Sequence, residues 1–226
     1  MKYFVSIADR LDISRPETTT DMNSRCFTNR KPFLRLLLIV LAASLIRPAS
    51  TASSAGDANE RSPRDRGALA LPLVNPRIVV SKSKRELHLY SAGRVVRKYR
   101  VALGLSPVGD KVRAGDRRTP EGDFYIYIKN AHSQFYLSLG ISYPNQQHAE
   151  RGLRDGLITR GQYDQIAGAL KRKRVPLQNT RLGGEIFIHG NGSQSDWTWG
   201  CVALDDQDIR ELFDIVPVGT PVTIEH

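Results

Sequence analysis

Residues 185–204 read EIFIHGNGSQSDWTWGCVAL, and they decide how the rest of the chain is read. Ile186 and Ile188 alternate with Glu185, Phe187 and His189, a period of two that predicts a strand ending at the histidine. Gly190-Asn191-Gly192 then break the strand, and Cys201 follows Gly200 at the approach to a helix. A strand-end histidine and a cysteine on the next turn can meet across the intervening loop. A cysteine nucleophile needs a base for its proton, normally imidazole, and donors aimed at the oxyanion that forms. Cys201, His189 and the backbone around Gly200 supply those types in that order. Two other readings fit the same residues: a cysteine buried as a small apolar side chain, and a metal site. Zinc would want three or four ligands at paired spacings, and only one cysteine and one histidine stand here, so no metal is expected.

Outward from this stretch the pattern is mainly β. Downstream, Ile209, Leu212, Phe213 and Val216 recur at helical spacing behind Asp205-Asp206 and before Pro217, which predicts a terminal amphipathic helix. Residues 221–225 suit a closing strand. Upstream, strands are expected over 77–81 and 86–90 around a turn at 82–85, over 95–103, and over 124–128. The long loop over 104–122 is rich in glycine and proline, and long loops in compact domains are more often functional than idle. Residues 146–175 are polar and glycine-punctuated and end in Lys171-Arg172-Lys173-Arg174, with one or two short helices expected. This is not the strand-helix alternation of a Rossmann fold.

The start of the chain reads as an address. Residues 36–46, LLLIVLAASLI, form an uncharged run of eleven, short for a membrane span but right for a signal-peptide core. Arg25, Arg30, Lys31 and Arg35 precede it, and small residues follow it. The stretch before the core is long and carries Asp9, Asp12, Glu17 and Asp21, so Met22 is the expected true start. The expected organisation is a signal segment over 1–55, a linker over 56–76 and one domain over 77–225. Export to the periplasm or cell envelope follows, with membrane contact only through the signal segment. Cys26 would leave with that segment, and Cys201 would remain as an unpaired thiol in an exported protein, which needs a reason.

The chain of 226 residues has 33 Lys+Arg against 23 Asp+Glu, a net charge of +10. Residues 1–55 hold eight basic and four acidic residues, leaving 25 against 19, or +6, in the rest. The basic run at 171–174 raises a nucleic-acid-binding class, but no recognition motif accompanies it and such runs are usually solvated faces. No nucleic-acid partner is expected.

IFIHG at 186–190, WTWGCVAL at 197–204 and GTPVTI at 219–224 resemble the L,D-transpeptidase catalytic domain of YkuD type. GDRRTPEGDFYI at 115–126, SLGISYPN at 138–145 and VALG at 101–104 match the same family's upstream blocks in order. The resemblance implies a YkuD-like β-sandwich of mixed sheets with a short helical insertion and a C-terminal helix. It implies acyl transfer on peptidoglycan stem peptides without a cofactor. Cys201 would form the thioester, His189 would move protons, and the Gly190 carbonyl would orient His189. Gly200 and Cys201 would form the oxyanion hole. A neighbouring stem, a D-amino acid or a lipoprotein lysine would be the acceptor. Many members carry Arg or Asn two places after the cysteine, where this chain has Ala203. WTxGC with alanine there resembles a subgroup that includes an enzyme cutting lipoprotein from peptidoglycan, so a hydrolase is the alternative, and an inactive murein-binding module is a second.

Further candidates come from position. Thr198, Trp199, Trp197 and Tyr143 are candidates to wall the substrate, with core packing or loop anchoring the alternative. His132 could line the cleft or simply sit in a turn. Arg118 could meet a substrate carboxylate or brace its own loop.

Overall fold

Residues 67 and 69–226 are described in the structure, a computed structural model of the chain. The expected signal segment, with Met22 and Cys26, and most of the expected linker lie outside them. No helix among the described residues is long and apolar enough to cross a membrane.

Strand β1 (Arg77–Ser81) pairs antiparallel with β2 (Glu86–Ser91) around the expected turn, and β3 (Arg94–Arg100) adds to β2. Ile78, Val80, Leu87 and Leu89, every second residue, are fully buried, as the pleat requires of a half-covered sheet. The alternation read through Leu103 ends as a regular strand at Arg100. Beyond it the chain changes partner, and Ala102 exchanges two 2.8 Å backbone hydrogen bonds with Ala203. Ahead of β1, Leu73 packs on the core and the Val74 carbonyl accepts from Ala92 N–H at 2.6 Å.

Strand β4 (Gly122–Ser133) is the long one. Its first four residues pair with β8 (Pro221–Glu225) and the remainder with β5 (Tyr136–Ile141). The short strands β6 (Phe187–His189) and β7 (Val202–Ala203) follow β5, giving one eight-stranded order β3-β2-β1-β8-β4-β5-β6-β7. The β1–β8 and β6–β7 pairs are parallel and the rest antiparallel, so the sheet is mixed. Because Ala102, just past one edge strand, pairs with the other edge strand, the sheet folds back on itself. Side chains of both halves, Ile78 and Leu89 with Ile126, Leu139 and Ile188, share one apolar core. This is the mixed-sheet β-sandwich with helical additions that the family resemblance implied.

Strand β5 is buried on both faces, and there Ser138 and Gly140 are small for a reason. A Cβ on Gly140 would come within 2.8 Å of the Tyr127 ring and Ile128. The insertion forms α1 (Gln146–Arg154), capped by Asn145, and α2 (Arg160–Lys171), whose Thr159 and Gln162 make a reciprocal capping box. Both helices close on Leu182 through a small second core of Ala149, Ile158 and Ile166. Leu182 leads directly into the Gly183-Gly184 approach to β6. The terminal helix α3 (Asp206–Ile215) buries Ile209 and Leu212 at the expected spacing.

Candidate active site

Strands β6 and β7 set His189 opposite Ala203 and Ile188 opposite Val202. Cys201 precedes Val202, and its sulfur accepts from Phe187 N–H at 3.4 Å, so it lies beside the strand that ends two residues later in His189. One strand across at ~4.8 Å and two residues along at ~6.6 Å puts their Cα atoms roughly 8 Å apart. Side chains of imidazole and thiol length can close such a gap.

The imidazole is held on three sides. Its Nδ1 lies 2.7 Å from the Gly190 carbonyl oxygen, which can only accept. Nδ1 therefore carries the proton and Nε2 presents its lone pair. The Phe135 ring stacks on it at 4.7 Å between centroids, and Trp197 meets it edge-on at 5.5 Å. Burial lowers the His189 pKa from its ordinary value, against the opposing pull of the Gly190 hydrogen bond.

The Cys201 sulfur rests on main chain. It accepts from Phe187 N–H at 3.4 Å and donates to the Glu185 carbonyl at 3.6 Å. The residue as a whole keeps some solvent contact, but the sulfur lies against the backbone of 185–187, and its surroundings set its acidity. Burial pushes the thiol up to about 11, with the Phe187 N–H and the Lys111 charge pulling down and Glu185 pushing up. Near neutral pH the resting pair is a thiol and a neutral imidazole, with no preformed ion pair.

The turn carrying Cys201 is braced by two threonines. Thr198 Oγ1 donates to the Cys201 carbonyl at 2.8 Å and accepts from Gly200 N–H at 3.2 Å, and Thr119 Oγ1 reaches the same carbonyl at 3.4 Å. The Gly200 N–H is thus engaged, while among the described residues the Cys201 N–H meets no acceptor. Gly200 has φ +126°, and a Cβ there would lie 2.7 Å from the Arg118 carbonyl. The glycine is required both by its backbone conformation and by the close approach of the 104–122 loop. The loop after His189 is tied to the start of α3, where Asp206 Oδ1 accepts from Asn191 N–H at 2.8 Å and Asp205 Oδ1 from Ser193 N–H at 3.0 Å. The acids read in the sequence as helix-start residues also pin the histidine's loop.

The other sequence candidates scatter. Trp199 is 66% exposed beside Cys201, with the Arg117 guanidinium over its ring at 4.6 Å. Thr198 is buried and spent on the turn. Tyr143 is fully buried, its hydroxyl donating to the Leu182 carbonyl at 2.9 Å, so it is a core residue joining the sandwich to the insertion. His132 lies exposed near the β4–β5 turn, and it is Phe135 of that turn that reaches His189. Arg118 turns its guanidinium to the Asp110 carbonyl at 3.3 Å. The sequence reading missed Phe135, Thr119 and Lys111. Thr119 lies within a stretch already singled out and Phe135 beside one, but which residue of a hairpin or loop faces the site depends on the fold. Two concavities, of about 370 and 440 Å³, lie elsewhere, one along Gly122, Phe124 and Asn145 and the other at 175–178 beside α2. Cys201 and His189 line neither.

The YkuD model, described as L,D-transpeptidase catalytic domain, matches residues 75–224. The chain belongs to that family. Among similar solved structures is an L,D-transpeptidase from Xylanimonas cellulosilytica, 18% identical over 70% of this chain and 64% of that one, with a TM-score of 0.40. The helical cell shape determining protein Pgp2 from Campylobacter jejuni is 20% identical over 72% of this chain and 53% of that one, with a TM-score of 0.47. An L,D-transpeptidase from Mycobacterium smegmatis is 12% identical over 67% and 59%, with a TM-score of 0.40. The chain spans between about half and two thirds of the length of these structures. No curated protein matches it.

Proposed function

We propose that the chain is an exported cysteine acyltransferase of the cell envelope that acts on peptidoglycan stem peptides through its domain over 77–225. The observation that supports this reading is the Cys201 sulfur lying against the Phe187 N–H of the strand that ends in His189, with the imidazole Nδ1 committed to Gly190 and Nε2 left to take a proton. In the proposed reaction Nε2 takes the thiol proton as sulfur attacks the carbonyl of the third stem residue, a diamino acid. The S–C bond forms and the carbonyl oxygen becomes an oxyanion, for which the Cys201 N–H is the proposed donor. Collapse breaks the C–N bond, and imidazolium returns the proton to the departing D-alanine amine. An acceptor amine on a neighbouring stem, a D-amino acid or a lipoprotein lysine then attacks the thioester and gives its proton to Nε2. The C–S bond breaks, and the thiolate recovers that proton. Trp199, exposed beside the nucleophile, is the proposed apolar wall for the stem peptide.

A hydrolase of the same chemistry, with water as acceptor, is the second reading. Transfer requires water to be kept from the thioester, and the WTxGC sequence with Ala203 is what favours this second reading. Mass spectrometry of disaccharide-tetrapeptide incubated with the protein separates the readings. Crosslinked or amine-exchanged products support transfer, a tripeptide with free D-alanine supports hydrolysis, and unchanged muropeptide removes both and leaves an inactive binding module.

A further inference from the structure

Two lysines are buried in the 104–122 region and its neighbourhood, and they differ in one respect. Lys82 spends all three ammonium protons, on the Gly109 and Thr119 carbonyls and on Glu121 Oε1. Lys111, 3% exposed at the side chain, spends two, on Asp116 Oδ1 at 2.7 Å and the Arg113 carbonyl at 3.1 Å. Its third proton meets no acceptor among the described residues. A buried cation with a spare donor is costly unless something in the working state uses it.

The position of Lys111 indicates what that is. Its Cε lies 3.4 Å from where a Cβ on Gly183 would stand, and Ala114 of the same loop donates its N–H to the Arg181 carbonyl at 2.8 Å. The loop is thus stitched along 181–183. Gly183 and Gly184 carry no side chain, and the next residue, Glu185, supplies the carbonyl on which the Cys201 thiol rests. Asp116 fixes the ammonium and is itself saturated, accepting from the N–H groups of Val112, Arg113 and Arg118 as well.

We propose that Lys111 is a positioning residue whose buried ammonium stabilises the negative charge that appears on Cys201 sulfur when His189 takes the thiol proton. This rests on Cys201 being the nucleophile. The ionisable groups along this stretch are His189 on β6, which receives the proton, Glu185 before β6, whose carbonyl meets the thiol and whose charge opposes the thiolate, and Lys111, packed against Gly183, whose charge favours it, with Asp116 bound to Lys111. The direction in which the Lys111 charge acts on the thiol agrees.

The test needs no substrate. The rate of alkylation of Cys201 by iodoacetamide is measured against pH in the full chain, read by mass spectrometry on the Cys201 peptide so that Cys26 does not contribute. Lys111→Met should move the midpoint up by about one unit, which is a tenfold smaller thiolate fraction below it. Lys111→Arg should leave it near the wild-type value. Loosened packing would wet the thiol and move the midpoint down, so the two causes have opposite signs. If Lys111→Met fails to fold by circular dichroism, Lys111→Gln keeps the hydrogen bond to Asp116 without the charge and should give the same upward shift. An unchanged or lowered midpoint in a folded neutral variant overturns the proposal, as does failure of both neutral variants to fold while Lys111→Arg folds but is shifted as far up as free burial would take it. A shifted midpoint in a protein that leaves muropeptides untouched would instead uphold the role of Lys111 and remove the proposed reaction.

Discussion

The imidazole of His189 stacks on the Phe135 ring, their centroids 4.7 Å apart and their planes 26° apart. Phe135 comes from the β4–β5 turn, so the imidazole is oriented by a hairpin remote from it in sequence as well as by the adjacent Gly190 carbonyl. The stacking buries the ring and contributes to keeping it neutral. Phe135→Ala should cut turnover roughly tenfold through misplacement of Nε2. It should also move the acid limb of the pH–rate profile up toward the ordinary histidine value of 6.5 from the lower value burial imposes. Steady-state rates from pH 4 to 8 read both effects.

A lowered histidine pKa also makes stability depend on pH. The folded state resists protonation at His189, so the unfolded chain takes the proton first. The contribution is full above about pH 6.5 and is lost as pH falls through that value toward the lower folded one. Urea unfolding midpoints across this range should fall more steeply for the wild type than for His189→Gln, which has no proton to gain.

Cys201 has the opposite sign. Its thiol is raised from 9.0 to about 11, so the unfolded chain ionises first as pH rises. Stability from this group is full below about pH 9 and is lost between 9 and 11. Two pH units correspond to at most about 2–3 kcal/mol. The difference in unfolding free energy between wild type and Cys201→Ala should therefore shift in favour of the variant over that interval.

Gly200→Ala should be among the most damaging changes in the chain. A methyl group would meet the Arg118 carbonyl at 2.7 Å, and φ +126° is strained for any L side chain. A loss of about 1–3 kcal/mol is expected from the strain. Activity should fall further than stability, because the same turn aims the Cys201 N–H.

Ala203 stands where many family members carry arginine or asparagine. Here it is fully buried and paired with Ala102. Ala203→Arg should lower the melting temperature rather than retune the products, since a buried unpaired guanidinium is costly. A folded arginine variant of unchanged stability would mean the side chain escapes to the substrate face.

Much of this site was legible because its parts are close in sequence. His189, Gly190, Gly200 and Cys201 fall within thirteen residues, and strand alternation put His189 at the end of β6, whereas the two-residue strand β7 between Cys201 and α3 was too short to read. Strand β5 went unread although Leu137, Leu139 and Ile141 alternate, because Ser138 and Gly140 are small through burial on both faces rather than exposure. Tyr143, read as either a wall of the cleft or core packing, is a core residue, and nothing local distinguishes the two. Phe135 reaches His189, and Lys111 the approach at Gly183, only through strand register and loop stitching, which are long-range properties of the fold. The strand over 95–103 stopped early because Ala102 found a partner a hundred residues away, in Ala203.

In the proposed reaction the Cys201 sulfur becomes acylated by the stem peptide. The most direct test is mass spectrometry of the Cys201-containing peptide after rapid acid quench of the protein with disaccharide-tetrapeptide. An adduct on Cys201 equal to the muropeptide less one D-alanine is expected, absent from Cys201→Ser together with all turnover, because a serine hydroxyl is far less acidic than a thiol. Wild-type turnover in Cys201→Ser, with no adduct at position 201 in either protein, would contradict it and take the cysteine out of the reaction.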